Sequence, residues 1–322
     1  ASSRQLYIGL WWDSQHRSLA LEERRLRAYF GLLFEYGKRG VMNLQERQSI
    51  AGKMQRGAMA LPPGARCLIQ ATYGMMCGLF LPWQRRRTTR MERNNYTTFA
   101  LLLEHGQGLG LFDMSELPVA PVTLSDAARS RAWSGGGFLS ACGRHHWQPY
   151  GISACRKPID EMEGDWFRIA LERLGEKWAG KRVPFGVDNQ AFQLSHLAGR
   201  SRAERLMKII RHTFFLQLKY GCYIDMFWLS SEDNLLADLL SRNKIEEFYH
   251  QVSVSGFWDG PEFEYPQCYP DTGKVRTFAD VDSTSGSGVP DIQAFLSGDA
   301  SPQSSAPAAL ENPAPVPSPL HE

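Results

Sequence analysis

Four acidic residues, strung in order through the middle of the chain, constrain its fold more than any other feature. Asp126 stands at the end of the short β-prone run 119–124 and Asp188 at the end of the strand-like run 182–187. Glu163 opens the segment Glu163-Gly164-Asp165-Trp166-Phe167-Arg168-Ile169-Ala170-Leu171. Helical spacing puts it in line with Trp166, Phe167 and Ala170, since positions i, i+3, i+4 and i+7 share a face. A carboxylate on an apolar stripe is costly to bury unless a cation accompanies it. Asp238 lies in Asp233-Asn234-Leu235-Leu236-Ala237-Asp238-Leu239-Leu240-Ser241-Arg242, a short helix anchored by Leu235, Leu239 and Leu240. Each acid has a plainer role open to it. Asp126 and Asp188 fit turn or helix caps, Asp238 fits a solvent-facing helix position, and Glu161, Asp165 or Glu172 competes with Glu163. The ordered set favours convergence on one end of a sheet.

The 322 residues suffice for two domains and a tail. The chain contains no apolar run of bilayer-spanning length. It starts at Ala1 and enters a strand-like run almost at once, so it is expected to be a piece of a longer polyprotein. The net charge of +2 conceals a gradient. Residues 1–95 hold 16 Lys/Arg against 6 Asp/Glu, residues 96–242 hold 17 against 16, and residues 243–322 hold 3 against 12. A basic front segment suggests a polyanionic partner. Cys67, Cys77, Cys142, Cys155, Cys222 and Cys268 are scattered, and none forms a Cys-x-x-Cys pair. Reduced thiols in an intracellular protein are the expectation. Cys142, His145 and His146 lack a second ligand pair at zinc spacing, so a loop or strand end is the reading for them.

Along the chain, 6–12 and 17–21 read as two strands around a turn at 13–15. Helices follow at 22–36, at 43–60 from a capping start at Asn43 and Glu46, through 68–76, and at 97–105. Arg85, Arg86, Arg87, Arg90 and Arg93 precede the last of these. The pattern then changes. Strands are expected at 119–124, 133–139 and 146–152, a helix at 161–174, a strand at 182–187, a long helix at 202–220, a strand at 223–229 and a short helix at 233–241. That order is βββαβαβα, an α/β fold with a mixed sheet flanked by helices. Residues 246–270 form an aromatic arm. Residues 271–322, rich in Pro, Ser and Ala, bury too little apolar surface to offset chain entropy and read as a disordered tail.

Hydrolysing a phosphodiester needs an activated water and a stabilised leaving oxygen, which two Mg²⁺ ions about 3.5–4 Å apart supply. Magnesium takes oxygen ligands, and four acids at one sheet end provide them. The motifs support a family resemblance. Ser125-Asp126-Ala127, Gly135-Gly136-Gly137-Phe138, residues 163–171, Trp178-Ala179-Gly180-Lys181-Arg182-Val183, Val187-Asp188-Asn189-Gln190-Ala191, Gly199-Arg200-Ser201 and the ending Asn-x-x-Ala-Asp-x-Leu-Ser-Arg resemble the ribonuclease H domain of retrotransposon reverse transcriptases. The closest flavour is the DIRS-like, tyrosine-recombinase group, with gypsy-like and hepadnavirus-like polymerases as relatives. The spacing of 25 residues from Glu163 to Asp188 is similar to the family's. Tyr7-Ile8-Gly9-Leu10 resembles a primer-grip hairpin, and the helices after it a thumb and connection.

The resemblance implies a ribonuclease H-like domain at 118–245, a thumb/connection-like region at 1–106 and a linker at 107–117. It implies Asp126, Glu163, Asp188 and Asp238 as catalytic ligands of two Mg²⁺ ions, with Mn²⁺ as a substitute. The partners it implies are an RNA/DNA hybrid and the rest of a reverse transcriptase polyprotein, without a membrane. The place it implies is the cytoplasm or nucleus, in a retroelement particle. Phosphates would meet Arg85, Arg86, Arg87, Arg90, Arg93, Arg200 and Arg202.

The chain also departs from the pattern. Ser125 and Ala128 replace the usual Thr and Ser. Trp228-Leu229-Ser230-Ser231 stands where many relatives carry a His-bearing loop. The paired-Asp polymerase motif is absent, Tyr223-Ile224-Asp225-Met226 being only a mimic. Two rival readings are a decayed domain that only binds template-primer, and a DDE-type integrase or resolvase acting on DNA.

Overall fold

A computed structural model of the protein describes residues 4–15, 18–105, 117–131, 134–150 and 156–257. All of the expected linker except Leu117, the aromatic segment from 258 onward and the whole expected tail at 271–322 lie outside the described residues.

The front half opens with three antiparallel strands, β1 (Arg4–Tyr7), β2 (Leu10–Asp13) and β3 (Ser18–Leu21). The run 6–12, read from sequence as one strand, is two. Ile8 and Gly9 both take positive φ, 47° and 79°, and close a two-residue turn between Tyr7 and Leu10. Such turns demand left-handed backbone, which Gly supplies. Helix α1 (Glu23–Lys38) follows, then the three-residue strand β4 (Val41–Asn43) and α2 (Leu44–Gly57). Asn43 and Glu46 form the capping box expected of them: each side chain accepts the other's backbone N–H at 2.8 Å. After two short 3₁₀ turns come α3 (Gln70–Met76), β5 (Arg85–Arg87) paired antiparallel to β4, and α4 (Arg90–His105).

Helix α4 begins seven residues before the run 97–105 taken from sequence. Its first turns look polar because they carry a buried ionic cluster. Arg47 and Glu92, both fully buried, pair at 2.9 Å, Arg47 Nη1 donates to the Met42 carbonyl at 2.6 Å, and the Tyr96 hydroxyl donates to Glu92 at 2.8 Å. A buried charge is tolerated only when so satisfied.

The second half forms a five-stranded mixed sheet. Its elements are β6 (Thr123–Arg129), β7 (Ser134–Ser140), β8 (His145–Pro149), α5 (Ile159–Leu174), β9 (Arg182–Val187), α6 (Gln190–Ala198), α7 (Glu204–Tyr220), β10 (Tyr223–Trp228), α8 (Leu235–Ser241) and α9 (Ile245–Ser255). The strand order is β10-β9-β6-β7-β8, with β6, β7 and β8 antiparallel in turn and β6, β9 and β10 parallel. Three strands in a meander, extended by two parallel ones with helices on both faces, make a ribonuclease H-like sheet.

Three expectations need correction. Strand β6 runs on to Arg129, so Asp126 sits mid-strand, opposite Gly137, and not at a strand end. Glu163 is the fifth residue of α5, which Pro158 starts earlier than residue 161. Helix α6 was not foreseen. Asn189 caps it by accepting the Phe192 N–H at 2.9 Å, and Gly199, at φ 62°, closes it. The expected arm starts as α9, whose Phe248 and Val252 are buried against α8.

The glycines of β7 set the distance of both helix layers. A Cβ on Gly136 would lie 1.7 Å from Trp166 Nε1 of α5, and one on Gly137 would lie 2.8 Å from Leu240 Cβ of α8. Alternate residues of a strand face opposite sides, so one triglycine lets a helix approach each face. The front half shares the core of the sheet: Cys67, Leu68, Phe99, Phe167, Phe185 and Phe214 belong to one buried cluster. Cys67, Cys77, Cys142 and Cys222 are free thiols. Among the described residues no helix is long and apolar enough to cross a membrane.

Candidate active site

Strands β6 and β9 run side by side and parallel, Ser125 opposite Val187. This brings Asp126, the next residue on β6, close to Asp188, the first residue after β9. Helix α5 packs its Glu163 face onto β6. One carboxylate oxygen from each of Asp126, Glu163 and Asp188 lies within 4.8 Å of the others. Asp126 and Glu163 are buried, 4% and 1% exposed, while Asp188 is half-buried and opens the group to solvent.

Each acid is aimed by a particular contact. Glu163 Oε1 accepts the Ala127 backbone N–H at 2.9 Å, whereas its Oε2 is buried without a partner. Asp188 accepts the Ser231 hydroxyl at 2.9 Å on Oδ2, and its backbone carbonyl accepts the Trp228 indole N–H at 2.9 Å. The Asp126 carboxyl is hydrogen-bonded to Ser241 of α8. Asn234 donates to the Ser125 carbonyl at 3.0 Å and so pins the start of α8 to β6. Asp238 stands outside the group of three. Its Oδ1 pairs with Arg242 Nε one turn along the helix at 2.7 Å.

Crowding three acids away from water disfavours their charged forms. Burial pushes the Asp126 carboxyl up to about 7, against the Ser241 hydrogen bond, with Asp188 and Asp238 adding to the rise and Arg242 opposing it. Burial also drives Glu163 well above the usual carboxylate range, reinforced by Asp126 and Asp188 and opposed by the Ala127 N–H. An all-oxygen set with one unpartnered buried oxygen suits a hard divalent cation.

No protein-family profile matches the chain, and no curated protein matches it. Among solved structures it is similar to ribonuclease H1 from the archaeon Halobacterium salinarum NRC-1, at 15% identity and TM-score 0.34, over 39% of this chain and 98% of that one. It is similar to LC11-RNase H1, solved in complex with an RNA/DNA hybrid, at 14% identity and TM-score 0.34, over 39% of this chain and 96% of that one. A longer alignment runs to the foamy viral protease-reverse transcriptase solved with double-stranded DNA. It has 13% identity and TM-score 0.29, over 70% of this chain and 38% of that one.

The arginines divide by environment. Arg86 Nη1 donates to the Cys77 carbonyl at 2.9 Å, and Arg93 Nη1 donates to the Thr88 carbonyl at 2.9 Å, so both tie down backbone. Arg85, Arg87, Arg90, Arg200 and Arg202 are exposed. His145 stacks on Trp147 at 5.8 Å, and its ring nitrogens meet the Gly143 carbonyl and the Tyr249 hydroxyl. Sequence reasoning passed over Trp228, Ser231 and Ser241. The loop 228–231 drew notice only for its missing His, and nothing in spacing marks a hydroxyl as a carboxylate's partner.

Proposed function

We propose that the chain is the C-terminal part of a retroelement reverse transcriptase of the DIRS-like group, and that it cuts the RNA strand of RNA/DNA hybrids. The convergence of Asp126, Glu163 and Asp188 within 4.8 Å supports this reading most. These residues would hold Mg²⁺, or Mn²⁺ in its place, and Asp238 would complete a two-ion site once freed from Arg242. Bound divalent ions would supply Lewis-acid stabilisation of the phosphate and activation of water.

The protein's own residues do the rest. The Ala127 N–H fixes Glu163, Ser231 and Trp228 fix Asp188, and the buried walls of α5 and β6 keep bulk water from the inner acids. The exposed Arg85, Arg87, Arg90, Arg200 and Arg202 would take phosphates, a salt-dependent contribution. Discrimination of RNA would need contacts to 2′-hydroxyls.

The test is cleavage of an end-labelled hybrid in Mg²⁺, beside single strands and duplex DNA. Loss of cleavage on chelation and its return on adding Mg²⁺ is the expected result. The pairing of Asp238 with Arg242 favours the rival of a domain that binds hybrid without cutting it. That rival stands if hybrid binds and no divalent ion elicits cleavage. Cleavage of duplex DNA alone would favour the integrase-like reading.

A further inference from the structure

The loop between α3 and β5 carries two aromatic rings that the fold does not use. Phe80 is 83% and Trp83 69% exposed, the former the most exposed large apolar side chain among the described residues. The loop is nevertheless well tied. Gln84 Oε1 accepts the backbone N–H groups of Phe80 and Leu81, at 2.5 and 2.9 Å, and the Gln84 N–H donates back to the Leu81 carbonyl at 3.0 Å. The carbonyls of Pro82 and Gln84 accept the first backbone N–H groups of α2, from Gln45 and Leu44. The rings are therefore presented by a fixed backbone.

Strand β5 follows directly. Its middle residue, Arg86, turns inward to the Cys77 carbonyl, so Arg85 and Arg87, two residues apart, share the outer face. Among the described residues neither Arg85 nor Arg87 pairs with a carboxylate. Two solvent-facing rings and two uncompensated guanidinium groups within eight consecutive residues are an unusual use of surface. Exposed Phe and Trp cost solubility unless something covers them, and the covering partner must carry negative charge and flat apolar faces.

We propose that Phe80, Trp83, Arg85 and Arg87 form a platform for single-stranded nucleic acid. Unpaired bases stack on the two rings and the adjoining phosphates meet the two arginines. A duplex cannot use the rings, because its bases are already stacked and offer no free face, so it meets only the arginines. Stacking is tolerant of sequence, whereas the phosphate contacts make binding salt-dependent. The platform deepens the reading of the chain as a nucleic-acid enzyme, yet its test does not depend on cleavage.

Binding of a fluorescent oligo-dT and oligo-U is measured by anisotropy across a salt series, for the protein and for Phe80→Ala/Trp83→Ala and Arg85→Ala/Arg87→Ala. The ring variant should bind about tenfold or more weaker with an unchanged salt slope. The arginine variant should lose affinity and show a shallower slope. Both should melt as the parent protein does, and the ring variant should not change its affinity for a blunt hybrid by more than about twofold. Equal oligo binding by parent and ring variant would overturn the platform. So would a parent dimer that the ring variant converts to a monomer, which would make the rings a self-association surface. Failure of hybrid cleavage with these binding results intact would sink the proposed activity and leave the platform standing.

Discussion

At the scale of single residues, Asp188 is the acid whose replacement should separate the proposed chemistry from folding. It is the least buried of the three clustered carboxylates, and its backbone carbonyl, not its side chain, receives the Trp228 indole. Asp188→Asn should therefore fold normally, with a melting temperature equal to or slightly above the parent's, because it relieves repulsion among like charges. Weakened ion binding should cut hybrid cleavage by roughly a thousandfold, while hybrid affinity holds. Cleavage at the parent rate in Mg²⁺ would remove Asp188 from the site. Asp126 gives a pH signature. Its carboxyl is raised from 3.8 to about 7 in the folded protein. A carboxyl raised by folding binds more protons in the native state, so its contribution to stability is complete below the unfolded value and is lost as pH climbs through the folded one. In chelator the melting temperature should fall between pH 4 and 7. Asp126→Asn should flatten that fall, and Mg²⁺ should stabilise the parent most above pH 7. A metal-free protein with a flat profile across this window would show that the acids are not coupled as described.

At the scale of elements, α8 is held to the sheet by a buried amide. Asn234 is fully buried and donates to the Ser125 carbonyl on the strand that carries Asp126. Asn234→Ala leaves that carbonyl without its donor, which costs about 1–3 kcal/mol. It also loosens the helix that carries Ser241 and Asp238. A fall in chemical-denaturation stability of that size, together with a weakened Mg²⁺ response, is the expected outcome; unchanged stability would show that the leucines alone dock α8.

This helix was legible in sequence because Asn234, Asp238 and the leucines fall in a recognisable pattern, although Leu235, expected as an anchor, is exposed and Leu236 is buried in its place; α5, α7, β9 and β10 were legible from apolar periodicity. The bounds of the other elements were harder to read. Nine residues of α6 mix Gln, Ser and His with apolar side chains and show a weak stripe, so its Asn cap and Gly stop went unread. The early turns of α4 hide their burial behind Arg47 and Glu92, which lie 45 residues apart in sequence. The run 6–12 hid its turn because Ile8 ordinarily avoids positive φ. Of the four acids picked out by type and order, the fold brings Asp126, Glu163 and Asp188 together and leaves Asp238 outside the group. Asp126's mid-strand position and the Asp238–Arg242 pairing depended on strand register and rotamer, which spacing does not encode.

At the scale of the whole molecule, the question is whether the helical front half is a separate body. Composition marks 271–322 as dispensable, and a chain ending at residue 270 should keep hybrid cleavage. The front half is a different matter. Arg211 of α7 donates to Asn95 of α4 at 3.0 Å, and Asn95 in turn donates to the Leu68 carbonyl at 2.9 Å. Gly64 abuts Phe214, where an added Cβ would come within 2.9 Å of the ring, and Gly199 abuts the Cys67 backbone. Removing residues 1–106 would strip cover from Phe214 and take the partner from Arg211. One buried Phe contributes about 1.5–3 kcal/mol, and a native protein has only about 5–15 kcal/mol in total. Residues 117–257 expressed alone should therefore melt at least about 3 °C below the longer chain, given a loss of 1 kcal/mol or more, and should bind ANS through the bared face of α7. The substitution Phe214→Asp in the isolated piece should reduce ANS binding if that face is the cause. A fragment that melts with the full chain and leaves ANS dark would show that the two halves fold independently and that their shared core contributes no stability.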